Sequence, residues 1–279
     1  MQMGQWAFFI FIISIFCEFT FAAELTLQQG QIAQVSQSEQ GLPYLDTMIV
    51  IAVDVSGSVN SDEYKIQKDG IIKAFSDPSV QNLLLQCTTS GIGVTYLEWS
   101  GSGYSQAFGS FVNNPFVQVI PWTRLMTPED MNHFANQLLA SPRSSDGETD
   151  IARSLEFARS LFSSAPFQSQ NRIVSLSTDG RQGRTIAGIS AEDFVKMERD
   201  KLASLGVTIN GIAIESTVEV DPRLGGGSFP SDKEDSLKDY LNQNLRTGQG
   251  SFVESVPDFE SYSEAFKKQL YVMMNACIS

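Results

Sequence analysis

Apolar and polar positions follow two periods along most of this chain, and the two periods take turns. "TMIVIAVDV" is an unbroken, β-branched run, the pattern of a strand covered on both faces. Asn60 and Glu63 follow with capping-box spacing. Tyr64, Ile71 and Phe75 then recur at helical intervals until "DPS" (residues 77–79) breaks the helix. "GIGVTYLEWSG" predicts a second strand. "FVQVIPW" predicts a shorter one at a sheet edge, because Pro121 has no amide hydrogen to give to a ladder. "TPEDMNHFANQLLASP" carries a cap at Thr127 and apolar Met131, Phe134 and Leu138. "TDIARSLEFARSLF" sets Ile151, Leu155, Ala158 and Phe162 on one side, so both predict helices. Strand "RIVSLSTDG", helix "SAEDFVKMERDKLASLG", strand "VTINGIAIE", helix "DKEDSLKDYLNQNL", short strand "GSFVESV" and a final helix, "DFESYSEAFKKQLYVMMNA", complete the series.

Such alternation predicts an α/β fold: a three-layer, doubly wound, mostly parallel sheet with one antiparallel edge strand and right-handed crossovers. In sheets of this kind ligands collect beyond the carboxyl ends of the strands. Asp54 and Asp179 both stand there.

Composition narrows the possibilities. With 279 residues, 42% hydrophobic and 18% charged, the chain suits one large domain with a substantial core. A formal charge of -13 disfavours binding to nucleic-acid phosphates, which needs a basic footprint. Trp6 to Cys17 is an apolar run of the length of a signal-peptide h-region and short for a membrane span. Small residues around Ala22 and Ala23 suit cleavage, although no Lys or Arg precedes the run. The expectation is a signal peptide over residues 1–23, a polar leader over 24–43 and one domain over 44–279. The mature protein is then secreted or periplasmic and has no stable membrane span; the alternative is that the run is kept as an N-terminal anchor, against which Glu18 interrupts the stretch. Cys87 and Cys277 are its two cysteines, and in an oxidising compartment they form either one disulfide or two buried thiols.

The chemistry begins at Asp54-x-Ser56-x-Ser58, three oxygen donors at alternate positions where a buried strand turns toward a helix. Mg²⁺ takes about six oxygens, with one or two carboxylates among them. Alone this pattern is common. Thr149, in the loop of "DGETDIA", and Asp179, at the end of "LSTDG", add a hydroxyl and a carboxylate from other strand ends. Taken singly, Thr149 reads equally as a helix cap and Asp179 as an Asp-Gly turn.

Together these residues resemble the metal-ion-dependent adhesion site of von Willebrand factor type A domains: D-x-S-x-S, then a loop threonine, then an aspartate. The resemblance runs from about Tyr44 to the C-terminus. Within it the chain looks like an exported bacterial subfamily labelled a domain of unknown function. It implies that Asp54, Ser56, Ser58, Thr149 and Asp179 are the positions that hold Mg²⁺ (or Ca²⁺ or Mn²⁺). The hydroxyls bind directly, the aspartates directly or through water. One coordination position remains for a carboxylate of a partner protein, so the implied function is cation-dependent binding or adhesion. Glu148, beside the threonine, departs from the family pattern; with Asp146 and Asp150 it is either a solvated loop charge or a factor favouring Ca²⁺. The implied fold puts Cys87 and Cys277 at the face opposite the metal, where a disulfide would join them.

Rival chemistries fare less well. A nucleophile elbow at Ser56 needs glycine where Asp54 stands, and the sole histidine, His133, is expected on the outer face of its helix. Mg²⁺-dependent phosphoryl transfer or phosphate-ester hydrolysis with Asp54 as nucleophile is the stronger rival, with Arg181 and Arg184 as candidate phosphate partners. "LGGGSFPSD" lacks the Lys-Ser/Thr of a phosphate loop. In the last helix Phe266, Leu270 and Met273 are expected to face the sheet, with Lys267 and Lys268 solvated. Partner choice is expected to lie in the loops at residues 100–115 and 220–232.

Overall fold

The computed structural model describes residues 41–105, 110–215 and 235–275. By contacts the chain divides into two units, Met1–Pro43 and Tyr44–Ser279, and every described helix and strand belongs to the second. The expected signal peptide, nearly all of the polar leader, the stretch "LGGGSFPSD" and Cys277 lie outside the described residues. The loop at 220–232 does too, as do residues 106–109 of the loop at 100–115.

The elements run β1 (Thr47–Asp54), α1 (Ser61–Ser76), α2 (Pro78–Cys87), β2 (Ile92–Trp99), β3 (Tyr104–Ser105), β4 (Ser110–Phe111) and β5 (Phe116–Leu125). They continue with α3 (Pro128–Ala140), α4 (Ile151–Ser163), β6 (Arg172–Thr178), α5 (Ala191–Ser204), β7 (Val207–Ile214), α6 (Leu237–Asn244), β8 (Val253–Val256) and α7 (Tyr262–Asn275). Six strands form one sheet in the order β5-β2-β1-β6-β7-β8. All neighbours are parallel except β2 and the edge strand β5. This is the predicted three-layer α/β architecture.

β1 lies in the middle, and all eight of its residues are buried. Side chains alternate across a strand, so each face of β1 supplies its own core. Ile49, Ile51 and Val53 pack with Ile71, Phe75, Phe134 and Phe266 from α1, α3 and α7. Met48, Val50 and Ala52 pack with Leu155, Leu202 and Leu241 from α4, α5 and α6. Burying one large side chain of this kind contributes about 1.5–3 kcal/mol relative to leaving it in water. The final helix presents Phe266, Leu270 and Met273 inward as expected. Its lysines are paired rather than simply solvated: Lys267 with Asp77 at 2.6 Å and Lys268 with Glu254 at 2.9 Å.

Two local expectations need correction. "DPS" does end a helix, but it opens another at once. Asp77 closes α1 and its carboxylate accepts from the Ser79 amide at 2.8 Å, with Pro78 in the first turn of α2. The edge strand is also longer than "FVQVIPW", running ten residues. It accommodates exposed Pro121 by a register shift opposite Thr95, so no ladder bond is asked of the proline.

Strand order reverses direction at β1: β2 lies on one side, and β6 starts the run on the other. The crevice at the carboxyl ends of β1 and β6 is therefore the switch point of the sheet. Val53 is in register with Ser177, which sets Asp54 beside Thr178 and puts Asp179 just beyond.

Candidate metal site

Three loops meet at that crevice. After β1 the chain turns back on itself, and the Ser56 amide donates to Asp54 Oδ1 at 2.8 Å. Ser56 Oγ and Ser58 Oγ are 3.1 Å apart. From the loop before α4, Thr149 Oγ1 donates to Ser56 Oγ at 3.3 Å. From the end of β6, Asp179 Oδ1 accepts the Ser58 hydroxyl at 2.7 Å. All five sequence-predicted residues thus share one hydrogen-bonded cluster.

The alternative roles of Thr149 and Asp179 fall to their neighbours. Asp150 is the N-cap of α4, its carboxylate accepting from the Arg153 amide at 3.3 Å, which leaves the Thr149 hydroxyl to the cluster. At the Asp-Gly step it is Thr178 Oγ1 that accepts the Gly180 amide, at 3.1 Å. Asp179 stays turned toward Ser58.

Backbone contacts lock the loops together. Gly57 donates to the Gly147 carbonyl at 2.7 Å, Gly183 donates to the Thr149 carbonyl at 3.0 Å, and the Gly101 amide donates to the Glu148 carbonyl. A Cβ on Gly147 would collide with the Gly101 carbonyl oxygen, so this approach calls for glycine.

Two carboxylates in one cluster, one of them fully buried, are electrostatically costly. Asp54 is fully buried, and burial raises its pKa despite hydrogen bonds from Ser56 and Thr178. Asp179 is pushed up to about 7, first by burial and then by the charge of Asp54. A cation at this point would relieve both penalties. The donors are two carboxylates and three hydroxyls, and among the described residues no three His, Cys, Asp or Glu side chains cluster as a metal site. An all-oxygen set suits a hard cation such as Mg²⁺, Ca²⁺ or Mn²⁺ better than one that prefers nitrogen and sulfur.

The extra acids of the threonine loop have other work. Asp150 caps its helix and takes a 2.9 Å bond from Gln182 Nε2, Glu148 lies 3.5 Å from Arg184, and Asp146 is buried. Arg181 lies over the Tyr240 ring and donates to the Asp235 carbonyl, while Arg184 also contacts Ser102. His133 is exposed on α3. Cys87, half-buried at the end of α2, has its sulfur 3.8 Å from Asn275 Oδ1, two residues before Cys277.

Sequence reasoning passed over four contributors. Thr178 donates to Asp54 Oδ2 at 2.6 Å, and Arg143 donates to the Val55 and Ser56 carbonyls at 2.9 and 3.0 Å. Glu98 and Tyr64 are joined behind them at 2.8 Å. The available signals were Glu98, a charge inside a buried strand, and Arg143, the one cation among residues 141–150.

Among the described residues no helix is long and apolar enough to cross a membrane. A search of curated proteins finds no match. Among solved structures, the chain is similar to proximal thread matrix protein 1 from the mussel byssus with a zinc occupied MIDAS motif. The TM-score is 0.53 at 19% identity, over 83% of this chain and 48% of that one. It is also similar to the pilus adhesin SpaC from Lactobacillus rhamnosus GG, with a TM-score of 0.56 at 14% identity over 84% and 31%. The chain therefore spans about half the length of the first and under a third of the second. At such identities the likeness shows the fold alone, a three-layer α/β domain. A family model described as "Protein of unknown function (DUF1194)" matches residues 44–276, and the chain belongs to that family.

Proposed function

We propose that the domain is a divalent-cation-dependent binding module that engages an acidic group of a partner protein. The observation that carries this reading is the convergence of five oxygen-bearing side chains from three separate loops at the switch point of the sheet. Asp54, Ser56, Ser58, Thr149 and Asp179 would hold the cation, with Mg²⁺ favoured and Ca²⁺ or Mn²⁺ compatible. When bound, the ion supplies a positive centre for an incoming carboxylate. Two aspartates roughly balance its charge, and the coordination position left open by the five side chains is what a partner's carboxylate would fill.

The printed descriptions of the structural neighbours, a zinc occupied MIDAS motif and a pilus adhesin, agree with this reading. The apolar run before residue 23 supports a place outside the cytoplasm. Phosphoryl transfer gains no support. Asp54 is fully buried with both oxygens engaged, a poor position for a nucleophile, and Arg181 and Arg184 are turned to other partners.

The test is affinity capture of partners from the native environment, in Mg²⁺ and then EDTA. A partner that leaves with EDTA, and that Asp54→Ala never captures, supports the proposal. A partner held equally in EDTA and by Asp54→Ala would refute it.

A further inference from the structure

Behind the cluster lies a polar assembly whose side chains reach the metal-site loops through backbone carbonyls. At its centre is Arg143, half-buried in the loop that carries Thr149. Its Nε donates to the Ser145 carbonyl at 2.9 Å, holding its own loop. Its Nη2 donates to the carbonyls of Val55 and Ser56, in the loop that carries the serines. The Ser56–Gly57 peptide is thereby pinned at both poles from one loop. Arg143 takes its oxygen, and the Gly147 carbonyl takes its N–H at 2.7 Å. The same nitrogen holds the Val55 carbonyl of the peptide before it, and with both peptides held the Cα–Cβ bond of Ser56 has one direction relative to Thr149.

Arg143 is itself held. Its guanidinium lies 5.5 Å from the centre of the Tyr64 ring. The Tyr64 hydroxyl donates to Glu98 Oε1 at 2.8 Å, and the Ser144 amide donates to Oε2 at 2.8 Å. Fully buried Glu98 thus fixes both the ring under Arg143 and the residue after it. Lys68 anchors the start of the same loop through the Ser141 carbonyl at 2.5 Å.

We propose that Arg143 is a positioning residue for the metal site: its fork joins the serine loop to the threonine loop, so that Ser56 and Thr149 stand ready before a cation arrives. This rests on the metal-binding reading given above. Planarity matters, because Nε holds the Ser145 carbonyl of one loop while Nη2, fixed in the same plane, reaches the Val55 and Ser56 carbonyls of the other. An ammonium offers only a point charge. Groups that orient metal ligands from behind typically change metal affinity by about 10–100-fold when replaced.

The test is titration of the metal-free protein with Mn²⁺, by calorimetry, for wild type, Arg143→Lys and Arg143→Ala. Circular dichroism establishes that each is folded. Wild type should bind Mn²⁺, and both variants should bind about 10–100-fold more weakly. Low-millimolar guanidinium ion should recover affinity in Arg143→Ala beyond an equal concentration of NaCl, a response that general loss of stability would not show. Should Arg143→Ala fail to fold, Arg143→Lys, which keeps charge and stem, reads the same quantity. Wild-type affinity in a folded Arg143→Lys would overturn this inference alone. No Mn²⁺ binding by the wild type would overturn the metal reading and this inference with it.

Discussion

The Ser58 hydroxyl donates to Asp179 Oδ1 at 2.7 Å, joining the loop after β1 to the end of β6 across 121 positions of sequence. The bond exists because β1 and β6 are parallel neighbours in register at the switch point. It also brings Asp179 into the field of Asp54, and the consequences are measurable.

Burial and the charge of Asp54 push the Asp179 carboxyl up to about 7 from an ordinary 3.8. The native state therefore holds a proton that the unfolded chain releases. The stability it contributes is complete below about pH 4 and is lost as pH rises to about 7. A divalent cation takes the place of that proton, so metal binding releases protons and its stabilising effect grows with pH. Melting curves in EDTA and in Mg²⁺ at about pH 5 and about pH 8 check this. A metal-induced rise in Tm as large at the lower pH would contradict it.

Thr178→Val removes the 2.6 Å donor to Asp54 Oδ2 while keeping the shape of the side chain. A buried carboxylate oxygen is left without its partner, a loss of about 1–3 kcal/mol. Denaturant unfolding should show a lower midpoint with an unchanged slope. An unchanged midpoint would mean that this bond is dispensable.

Gly147→Ala should be worse than its single methyl suggests, because the added carbon would collide with the Gly101 carbonyl oxygen. Relief requires the threonine loop to move away from the loop after β2. Overpacking of this kind costs about 1–3 kcal/mol. Metal binding should weaken as well, since Thr149 shares that loop. Calorimetry with Mn²⁺ on a folded Gly147→Ala protein reads the second effect directly.

The sulfur of Cys87 lies 3.8 Å from Asn275 Oδ1, and Cys277 follows two residues later. On the proposed export with cleavage after residue 23, a disulfide between the two cysteines is expected. Thiol counting under denaturation should find none without reductant and two after it. Two free thiols at the outset would reject the link.

Much of the site was legible because its donors stand at the ends of strongly periodic segments. A β-branched run stopping at Asp54, and another stopping at Asp179, locate both aspartates at strand ends without knowledge of strand order. Thr178 is different. Its hydroxyl reaches Asp54 only because Val53 pairs with Ser177, a register that no local pattern encodes. Glu98 announced itself as a charge in a buried strand, but its partners Tyr64 and Ser144 come from two other segments. Asp77 carried both its roles in plain view. Followed by Pro78, it caps a second helix and so marks a start as well as a stop.

The central claim is that the five-residue cluster holds a divalent cation, and the most direct measurement is the melting temperature of the mature protein in EDTA and in excess Mg²⁺ or Mn²⁺. At about 100 times Kd the cation should add about 2.7 kcal/mol. For a domain of this size each kcal/mol moves Tm by about 2–4 °C. A rise of several degrees that is reversed by EDTA and absent in Asp179→Ala is the predicted result. An identical Tm with and without metal, or an equal rise in Asp179→Ala, would contradict the account.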